Sequence, residues 1–197
     1  IPYLIDNSDE AIIVIPGGGF GYKTIDGANY EGKDVAESIN KKGYNAFVLW
    51  YRSNPYEMKI SQLDLLRAVK YIKYNSDIYH VNPNKISLIG YSAGAYLIGS
   101  YINNIITYPN DYIKDEVDQM DEEIKSAGLI YPVLTYEYNV PMLFCSFNSS
   151  NIKNEITRNQ LLEDTKLINH FSYYFYHSLI FYNHLLYHNF LIFQTCM

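Results

Sequence analysis

Continuous apolar runs alternate with amphipathic stretches along the first two thirds of the chain. Short unbroken apolar runs are typical of strands buried on both faces of a parallel sheet, whereas apolar residues at helical spacing predict helices that pack on it. The runs that predict strands are residues 11–15, 45–51, 85–90 and 127–134. The stretches that predict helices are residues 31–42, 61–74 and a segment that begins at Ala93. This alternation predicts an α/β fold with a mostly parallel sheet.

The pattern changes after residue 166. Residues 167–197 contain no Asp, Glu, Lys or Arg and are mostly Tyr, Phe, Leu, Ile, His and Asn, with no alternation of strands and helices. The sequence therefore predicts one domain over residues 1–166 and an aromatic, uncharged tail of uncertain structure over 167–197. Three interpretations of the tail stay open: a membrane-associated helix, a packed helical extension, and a segment that did not evolve with this fold, such as a frameshifted gene end.

Composition excludes several classes of protein. The 197 residues are enough for one domain with a sizeable core. The net charge is −6 and no basic run is present, which argues against a nucleic-acid partner. The cysteines, Cys145 and Cys196, give neither a disulfide framework nor the spacing of metal ligands. No signal peptide is visible, so we expect a cytoplasmic location, although the N-terminus looks incomplete.

The run from Lys85 to Ala95 places a short apolar strand directly before Gly-x-Ser-x-Gly and a helix rich in small residues. A serine on such a strand-to-helix turn, or nucleophile elbow, carries its hydroxyl above the sheet at the N-terminal end of the helix, where an anion is stabilised. Gly90 and Gly94 flank Ser92 where a side chain would crowd the packing of strand against helix. This context favours Ser92 as a nucleophile over an incidental turn serine.

A serine nucleophile also needs N–H donors for the oxyanion that forms when it attacks a carbonyl group. The N–H of Ala93 follows the nucleophile, and the glycine run Gly17–Gly19 follows the first predicted buried strand. Such a run could instead hold phosphate or form a plain turn. No Lys-Ser or Lys-Thr follows it, however, and its spacing misses the Gly-x-Gly-x-x-Gly pattern of dinucleotide sites. Together with the elbow, the run favours an oxyanion loop.

Several stretches in this chain, in the same order, resemble esterases of the α/β-hydrolase superfamily, in the branch of acetyl esterases, acetylxylan esterases and hormone-sensitive-lipase-like enzymes. These stretches are Pro16–Phe20 (with proline in place of the family's histidine), Gly43–Arg52, Asp64–Tyr71, Asn82–Ile86 and Gly90–Gly94. The resemblance covers about residues 11–135 and implies a three-layer α/β-hydrolase fold and an acyl-serine mechanism on small carboxylic esters, often acetyl groups on sugars. It implies Ser92 as the nucleophile, the N–H groups of Gly18, Gly19 and Ala93 as oxyanion donors, and no cofactor.

The sequence departs from this family in the catalytic acid and histidine, which both stay unknown. In the superfamily they follow the serine in chain order, the acid in a segment of the type His-Gly-x-x-Asp and the histidine in a later loop. The segment Pro141–Cys145 resembles the approach to a strand, but residues 146–151 carry no acid. Asp164 lies on a predicted helix rather than at a strand end. Cys145 lacks an elbow and is a weaker nucleophile candidate than Ser92.

The histidines include no clear candidate for the catalytic base that would accept the Ser92 proton. His80 precedes the predicted nucleophile and is expected to be structural or exposed, while the remaining four lie in the uncharged tail: His170, His177, His184 and His188. One of these four could serve as the base. His184 and His188 are four residues apart, which could place two metal ligands on one helix face. No third ligand matches them, so we expect no metal site.

The sequence therefore predicts a partial α/β-hydrolase domain. The expected partner is a small-molecule ester substrate. We expect a serine hydrolase of the carboxylesterase type, impaired in this chain because its base and acid are not found. Two alternatives stay open: a catalytically inactive hydrolase fold that binds a ligand, and a fragment or frameshifted gene product, incomplete at both ends, that does not fold stably. The sequence does not determine the ester substrate or the oligomeric state, and no membrane partner is expected.

Overall fold

A computed structural model of the chain describes residues 1–21, 30–137, 140–170, 182–184 and 188–194. Within these residues, one sheet contains seven strands. Their bounds are β1 Pro2–Tyr3, β2 Ala11–Ile15, β3 Asn45–Val48, β4 Ile86–Tyr91, β5 Ser126–Ile130, β6 Tyr182–His184 and β7 His188–Gln194.

The sheet has the strand order β1-β3-β2-β4-β5-β7-β6. The four central strands, β3, β2, β4 and β5, are parallel to one another. β1 pairs antiparallel with β3, β7 pairs antiparallel with β5, and β6 pairs antiparallel with β7. β2 and β4 are direct neighbours, with Ile15 opposite Gly90 at their carboxyl ends. The segments that leave these two strands therefore begin side by side.

Helices cover both faces of the sheet. Their bounds are α1 Lys33–Lys41, α2 Met58–Tyr74, α3 Ser76–Tyr79, α4 Ala93–Ile102, α5 Val140–Ser146, α6 Ser149–Lys153 and α7 Glu155–Asp164, with short 3-10 turns at Val117–Gln119 and Leu167–Asn169. Val14 of β2 packs with Ala36 and Ile39 of α1 on one face. Ile13 and Ile15 of β2 belong to the larger core with α2 and α4 on the other. This alternation along one strand produces the three layers that the sequence predicted.

The four predicted central strands and the three predicted helices are all present, with shifted ends. Strand β3, predicted over residues 45–51, stops at Val48. Beyond it, the N–H of Arg52 donates to the Asp64 carboxylate of α2 at 2.6 Å. The strand predicted over 127–134 stops at Ile130, because Tyr131 has a φ of 36° and Pro132 follows it. Both strands therefore end in turns that the apolar pattern does not show.

The acidic segment, residues 110–125, lies against helix α2 as loop with one 3-10 turn. Arg67, Lys70 and Lys73 follow one another at three-residue spacing along α2. Arg67 pairs with the buried Asp118 at 2.9 Å, the Lys70 ammonium donates to the Asp118 carbonyl at 3.0 Å, and Lys73 pairs with Asp121. The segment is therefore fixed by a row of cations rather than by secondary structure of its own.

The tail begins with the 3-10 turn at Leu167–Asn169, and its later described residues contain no helix. Residues 182–184 and 188–194 form the hairpin β6–β7 at the edge of the sheet beside β5. His184 and His188, whose spacing could have placed them on one helix face, lie opposite each other across this hairpin. Leu167, the first residue of the tail, is buried against α4, and its N–H donates to the Leu134 carbonyl at 3.0 Å. Among the described helices, none has the length and apolarity needed to cross a membrane.

The close contact between α4 and the sheet can be tested at Gly94. A Cβ atom at Gly94 would lie 2.1 Å from the Ile15 carbonyl oxygen and 2.7 Å from its carbon, and backbone atoms cannot move aside as a flexible side chain can. We expect Gly94→Ala to lower the free energy of unfolding by about 3 kcal/mol or more, measured by urea denaturation. Gly128→Ala in β5 is the control, because its nearest neighbour would lie at 3.5 Å. Equal stability of the two variants would contradict this packing.

Candidate active site

Ser92 lies on the turn between β4 and α4, with φ of 50° and ψ of −112°. A non-glycine residue with positive φ costs about 1–3 kcal/mol and persists only where its surroundings hold it. The N–H of Ser92 donates to the carbonyl of Ile130 at 3.0 Å, and its carbonyl accepts from the N–H of Tyr96 at 3.0 Å. Its side chain does not cap α4 and is half-buried. The predicted strand–serine–helix geometry is therefore present, with the hydroxyl not engaged in capping.

The glycine run after β2 forms a loop in the left-handed region of backbone conformation. Gly18 has a φ of 120° and Gly19 a φ of 58°, and the turn closes with a hydrogen bond from the N–H of Gly21 to the Gly18 carbonyl at 3.0 Å. Side chains at Gly18 and Gly19 would be strained in these conformations. Within the described residues, no backbone carbonyl accepts the N–H of Gly18 or Gly19. Among the described residues, these two N–H groups are therefore not used by the backbone of the loop.

The predicted oxyanion loop (residues 17–20) touches the serine turn. A Cβ atom at Gly17 would lie 3.2 Å from the Ser92 Cβ and 3.0 Å from the Tyr91 carbonyl oxygen. Ala93 is the first residue of α4, so its N–H has no acceptor within the helix and lies at the positive end of the helix dipole. The donors predicted at Gly18, Gly19 and Ala93 thus come to the same edge of the sheet as Ser92. Their role in catalysis stays a prediction.

An aromatic cluster anchors the far end of the oxyanion loop. Phe20 is fully buried and packs edge-on against Tyr51 at 6.4 Å and against Tyr96 of α4 at 6.1 Å between ring centroids. Tyr96 in turn packs edge-on against the buried Tyr136 at 5.3 Å. Edge-to-face aromatic pairs add about 0.5–1.5 kcal/mol to the burial of their area. The loop is therefore held by packing as well as by its own turn.

Two polar side chains hold the peptide bond that starts the loop. The Tyr51 hydroxyl lies 2.8 Å from the Pro16 carbonyl oxygen, to which it can donate, and 3.2 Å from that of Gly17. The N–H of Gly17 donates to the carboxylate of Glu31 at 2.8 Å. The other carboxylate oxygen of Glu31 accepts the hydroxyl of Tyr131, which follows β5. Sequence reasoning did not identify Tyr51, Glu31 or Tyr131 as part of the site.

The negative charge of Glu31 acts on the tyrosines around it. Burial, with a further contribution from the Glu31 charge, raises the pKa of Tyr91 to about 12. The same two causes raise the pKa of Tyr51 well above its usual value. Burial and the hydrogen bond to Glu31 raise the pKa of Tyr131. These phenols therefore stay neutral and able to donate at neutral pH.

The candidate bases and the candidate acid Asp164 form no hydrogen bond with Ser92 among the side chains that the structure describes. His80 is exposed at the amino end of β4, and the six residues of that strand place it about 20 Å from Ser92 at the carboxyl end. His170 is exposed after the last 3-10 turn, and Asp164 is exposed at the end of α7, where it accepts from Gln160 at 2.7 Å. His177 lies outside the described residues, and only the backbones of His184 and His188 are described.

Cys145 lies on a helix, so the prediction that residues 141–145 approach a strand is wrong. Pro141 is tolerated in the first turn of α5, and the following Met142 and Leu143 are buried in the main core. The helix brings the Cys145 sulfur to 3.3 Å from the position that a Cβ at Gly21 would take. The described residues contain no group of three or more His, Cys, Asp or Glu side chains that could hold a metal ion.

The parallel sheet, the serine turn and the glycine loop beside it define a protein of the α/β-hydrolase fold. The profile of the BD-FAE family matches residues 2–134, and the chain belongs to this family. The crystal structure of an acetyl ester-xyloside bifunctional hydrolase from Caldicellulosiruptor lactoaceticus is similar, with a TM-score of 0.58 and 30% sequence identity over 70% of this chain.

Two curated relatives are also named for hydrolysis of xylan or its esters. An acetylxylan esterase of Xylanibacter ruminicola is 28% identical over 149 residues, which is 73% of this chain. Endo-1,4-beta-xylanase B of Butyrivibrio fibrisolvens is 29% identical over 137 residues, or 66% of this chain. The chain spans only part of each: 30% of the acetylxylan esterase, 20% of the xylanase and 49% of the crystallised hydrolase.

The support that Tyr51 gives to the loop can be tested with Tyr51→Phe. Removing its hydroxyl leaves buried carbonyl groups without this donor, so we expect the free energy of unfolding at pH 8 to fall by about 1–3 kcal/mol in urea denaturation. The pKa of Tyr51 is higher in the folded than in the unfolded chain, so the neutral phenol stabilises the fold fully below about pH 10 and loses that effect as the pH rises further.

Tyr51→Phe should therefore lose less stability than the original chain between pH 8 and pH 11. The exposed Tyr56 provides the control, since Tyr56→Phe should leave the stability at pH 8 unchanged. An identical loss of stability between these pH values in the original chain and in Tyr51→Phe would rule out the expected titration.

Proposed function

We propose that this chain carries the nucleophile and the oxyanion site of a serine carboxylesterase that acts on small esters. The observation that supports this most directly is the close approach of the oxyanion loop to the serine turn, where a Cβ atom added at Gly17 would lie 3.2 Å from the Ser92 Cβ. Backbone donors and a hydroxyl on one sheet edge are the parts that acyl transfer needs.

In the proposed reaction, the Ser92 oxygen attacks the carbonyl carbon of the ester while its proton passes to a base. The carbonyl oxygen becomes an oxyanion that accepts hydrogen bonds from the N–H groups of Gly18, Gly19 and Ala93. The bond from carbon to the alcohol oxygen then breaks, the alcohol leaves with a proton, and the acyl group stays on Ser92. Water attacks this acyl-serine in the same way and releases the acid.

We further propose acetyl groups on sugars as the substrate class. The support comes from the relatives: an acetylxylan esterase and an acetyl ester-xyloside hydrolase are among the proteins that this chain resembles. The glycine run also fits a small acyl group, because Gly18 and Gly19 bring backbone rather than side chains to the oxyanion position.

The proposed activity is impaired in the chain as given. Among the described side chains, neither His80 nor His170 forms a hydrogen bond with Ser92, and Asp164 lies exposed on α7. A serine site without its base and acid retains an acceleration of the order of 10³–10⁴ over water from its oxyanion donors and binding alone. Natural enzymes with complete sites commonly turn over at about 10 s⁻¹.

We expect hydrolysis of 4-nitrophenyl acetate by this chain to show a kcat below about 1 s⁻¹. Steady-state release of 4-nitrophenolate with the substrate in excess, followed by absorbance, measures it. Ser92→Ala should remove the remaining catalysis, whereas Ser38→Ala on the exposed face of α1 should leave it unchanged. A kcat above that value which Ser92→Ala abolishes would show that a base is present and that the proposed impairment is wrong.

A catalytically inactive fold that only binds its ligand is the second candidate, because no base is identified beside Ser92. Labelling by a fluorescent alkyl fluorophosphonate distinguishes a hydrolase from a protein that only binds. The label is detected after electrophoresis and mapped by mass spectrometry. For a hydrolase we expect slow labelling at Ser92, absent in Ser92→Ala and retained in Ser38→Ala. A folded chain that takes up no label under conditions that label a complete esterase would favour the binding protein instead.

A further inference from the structure

Glu31 is a buried carboxylate that the proposed acyl transfer does not use. It is 7% exposed, and each of its oxygens accepts a hydrogen bond: one from the Gly17 N–H at 2.8 Å, the other from the Tyr131 hydroxyl. A buried carboxylate is costly unless hydrogen bonds compensate it. Glu31 follows β2 in the chain and Tyr131 follows β5, with β4 between these two strands in the sheet. Its side chain therefore ties together segments on either side of the serine turn.

The peptide bond between Pro16 and Gly17 is held from both sides. In a trans peptide the carbonyl and the N–H point in opposite directions. The carbonyl of Pro16 accepts from the Tyr51 hydroxyl at 2.8 Å, and the N–H of Gly17 donates to Glu31 at 2.8 Å. The plane of this peptide therefore cannot rotate without breaking a buried hydrogen bond. The next two peptides carry the N–H groups of Gly18 and Gly19, so the directions of these N–H groups depend on the orientation of the Pro16–Gly17 peptide.

We propose that Glu31 is a positioning residue of the active site, whose carboxylate fixes the Pro16–Gly17 peptide and thereby aims the oxyanion donors of Gly18 and Gly19 at the carbonyl oxygen of the substrate. The inference rests on the proposed function, since it assigns a role within the same site. Catalytic donors act strongly only when they are fixed before the reaction, and a displacement of about 1 Å can cost up to 10²-fold in rate.

Two substitutions separate hydrogen bonding from charge. Glu31→Gln keeps an oxygen that can accept the Gly17 N–H and an amide that can donate to the Tyr131 oxygen, but removes the negative charge. Glu31→Ala removes both hydrogen bonds. Glu37→Ala is the matched control, because Glu37 lies on α1 with an exposed side chain in a surface ion pair with Lys33 at 3.7 Å. Tyr131→Phe removes one donor to the carboxylate and keeps the aromatic ring.

The first measurement does not depend on the reactivity of Ser92. Amide hydrogen exchange of Gly17 is followed by NMR on the full chain labelled with ¹⁵N-glycine, the resonance being assigned by its loss in Gly17→Ala. We expect exchange to be at least about tenfold faster in Glu31→Ala, within about threefold of the original chain in Glu31→Gln, and unchanged in Glu37→Ala. Unchanged exchange in a folded Glu31→Ala would overturn the proposal.

Should Glu31→Ala not fold, Tyr131→Phe decides in its place. The loss of one donor leaves the carboxylate less firmly held, so exchange of the Gly17 amide should be at least about threefold faster. Exchange at the original rate in Tyr131→Phe would then reject the proposed link between the two segments.

The second measurement is the maximal rate of fluorophosphonate labelling at Ser92, at saturating reagent, where the tetrahedral phosphoryl oxygen occupies the oxyanion position. We expect Glu31→Ala to lower this rate about tenfold to a hundredfold without weakening reversible binding of the reagent, and Glu31→Gln to restore most of it. A rate in Glu31→Gln as low as in Glu31→Ala would assign the effect to charge and overturn the positioning role. If the original chain takes no label, the proposed function fails, and Gly17 exchange still decides whether Glu31 fixes the loop.

Discussion

The direct contact of helix α4 with the carboxyl ends of β2 and β4 is the constraint on which the site depends. Cβ atoms at Gly90 and Gly94 would lie within 2.7 Å of backbone atoms across this contact, so the helix can approach the strands only because both positions are glycine. The approach sets the sharp turn at Ser92. It also places the N-terminal end of α4 beside the loop that leaves β2. One packing contact therefore positions both the nucleophile candidate Ser92 and its predicted N–H donors.

The part of the site formed by local sequence could be predicted. A strand, a turn and a helix within residues 85–102 leave a clear pattern, because the apolar run, the two glycines and Ser92 are neighbours in the chain. The glycine run at 17–19 is equally visible. The central parallel strands could be predicted in the same way, because strands buried on both faces are continuous apolar runs in the sequence.

The supporting contacts could not be predicted, because their partners are far apart in the chain. Glu31 and Tyr131 are separated by 100 residues, and before the fold is known an acid at the start of a predicted helix looks like an ordinary solvated residue. The strands at the sheet edges were also missed. Pro2–Tyr3 is too short to show a pattern, and His188–Gln194 contains polar and apolar residues in an order that no period describes.

The two phenols that support the oxyanion loop, Tyr51 and Tyr131, stay neutral across neutral pH. Tyr51 and Tyr131 remain neutral donors because burial and the charge of Glu31 raise the pKa of each phenol. A donor that ionised near neutrality would release the Pro16–Gly17 peptide and move the oxyanion donors with it. These two hydroxyl donors are thus insensitive to pH where a histidine base would titrate. A change of Ser92 reactivity between pH 6 and pH 8 would therefore not come from the two phenols, which makes the pH profile of labelling a direct way to look for a base.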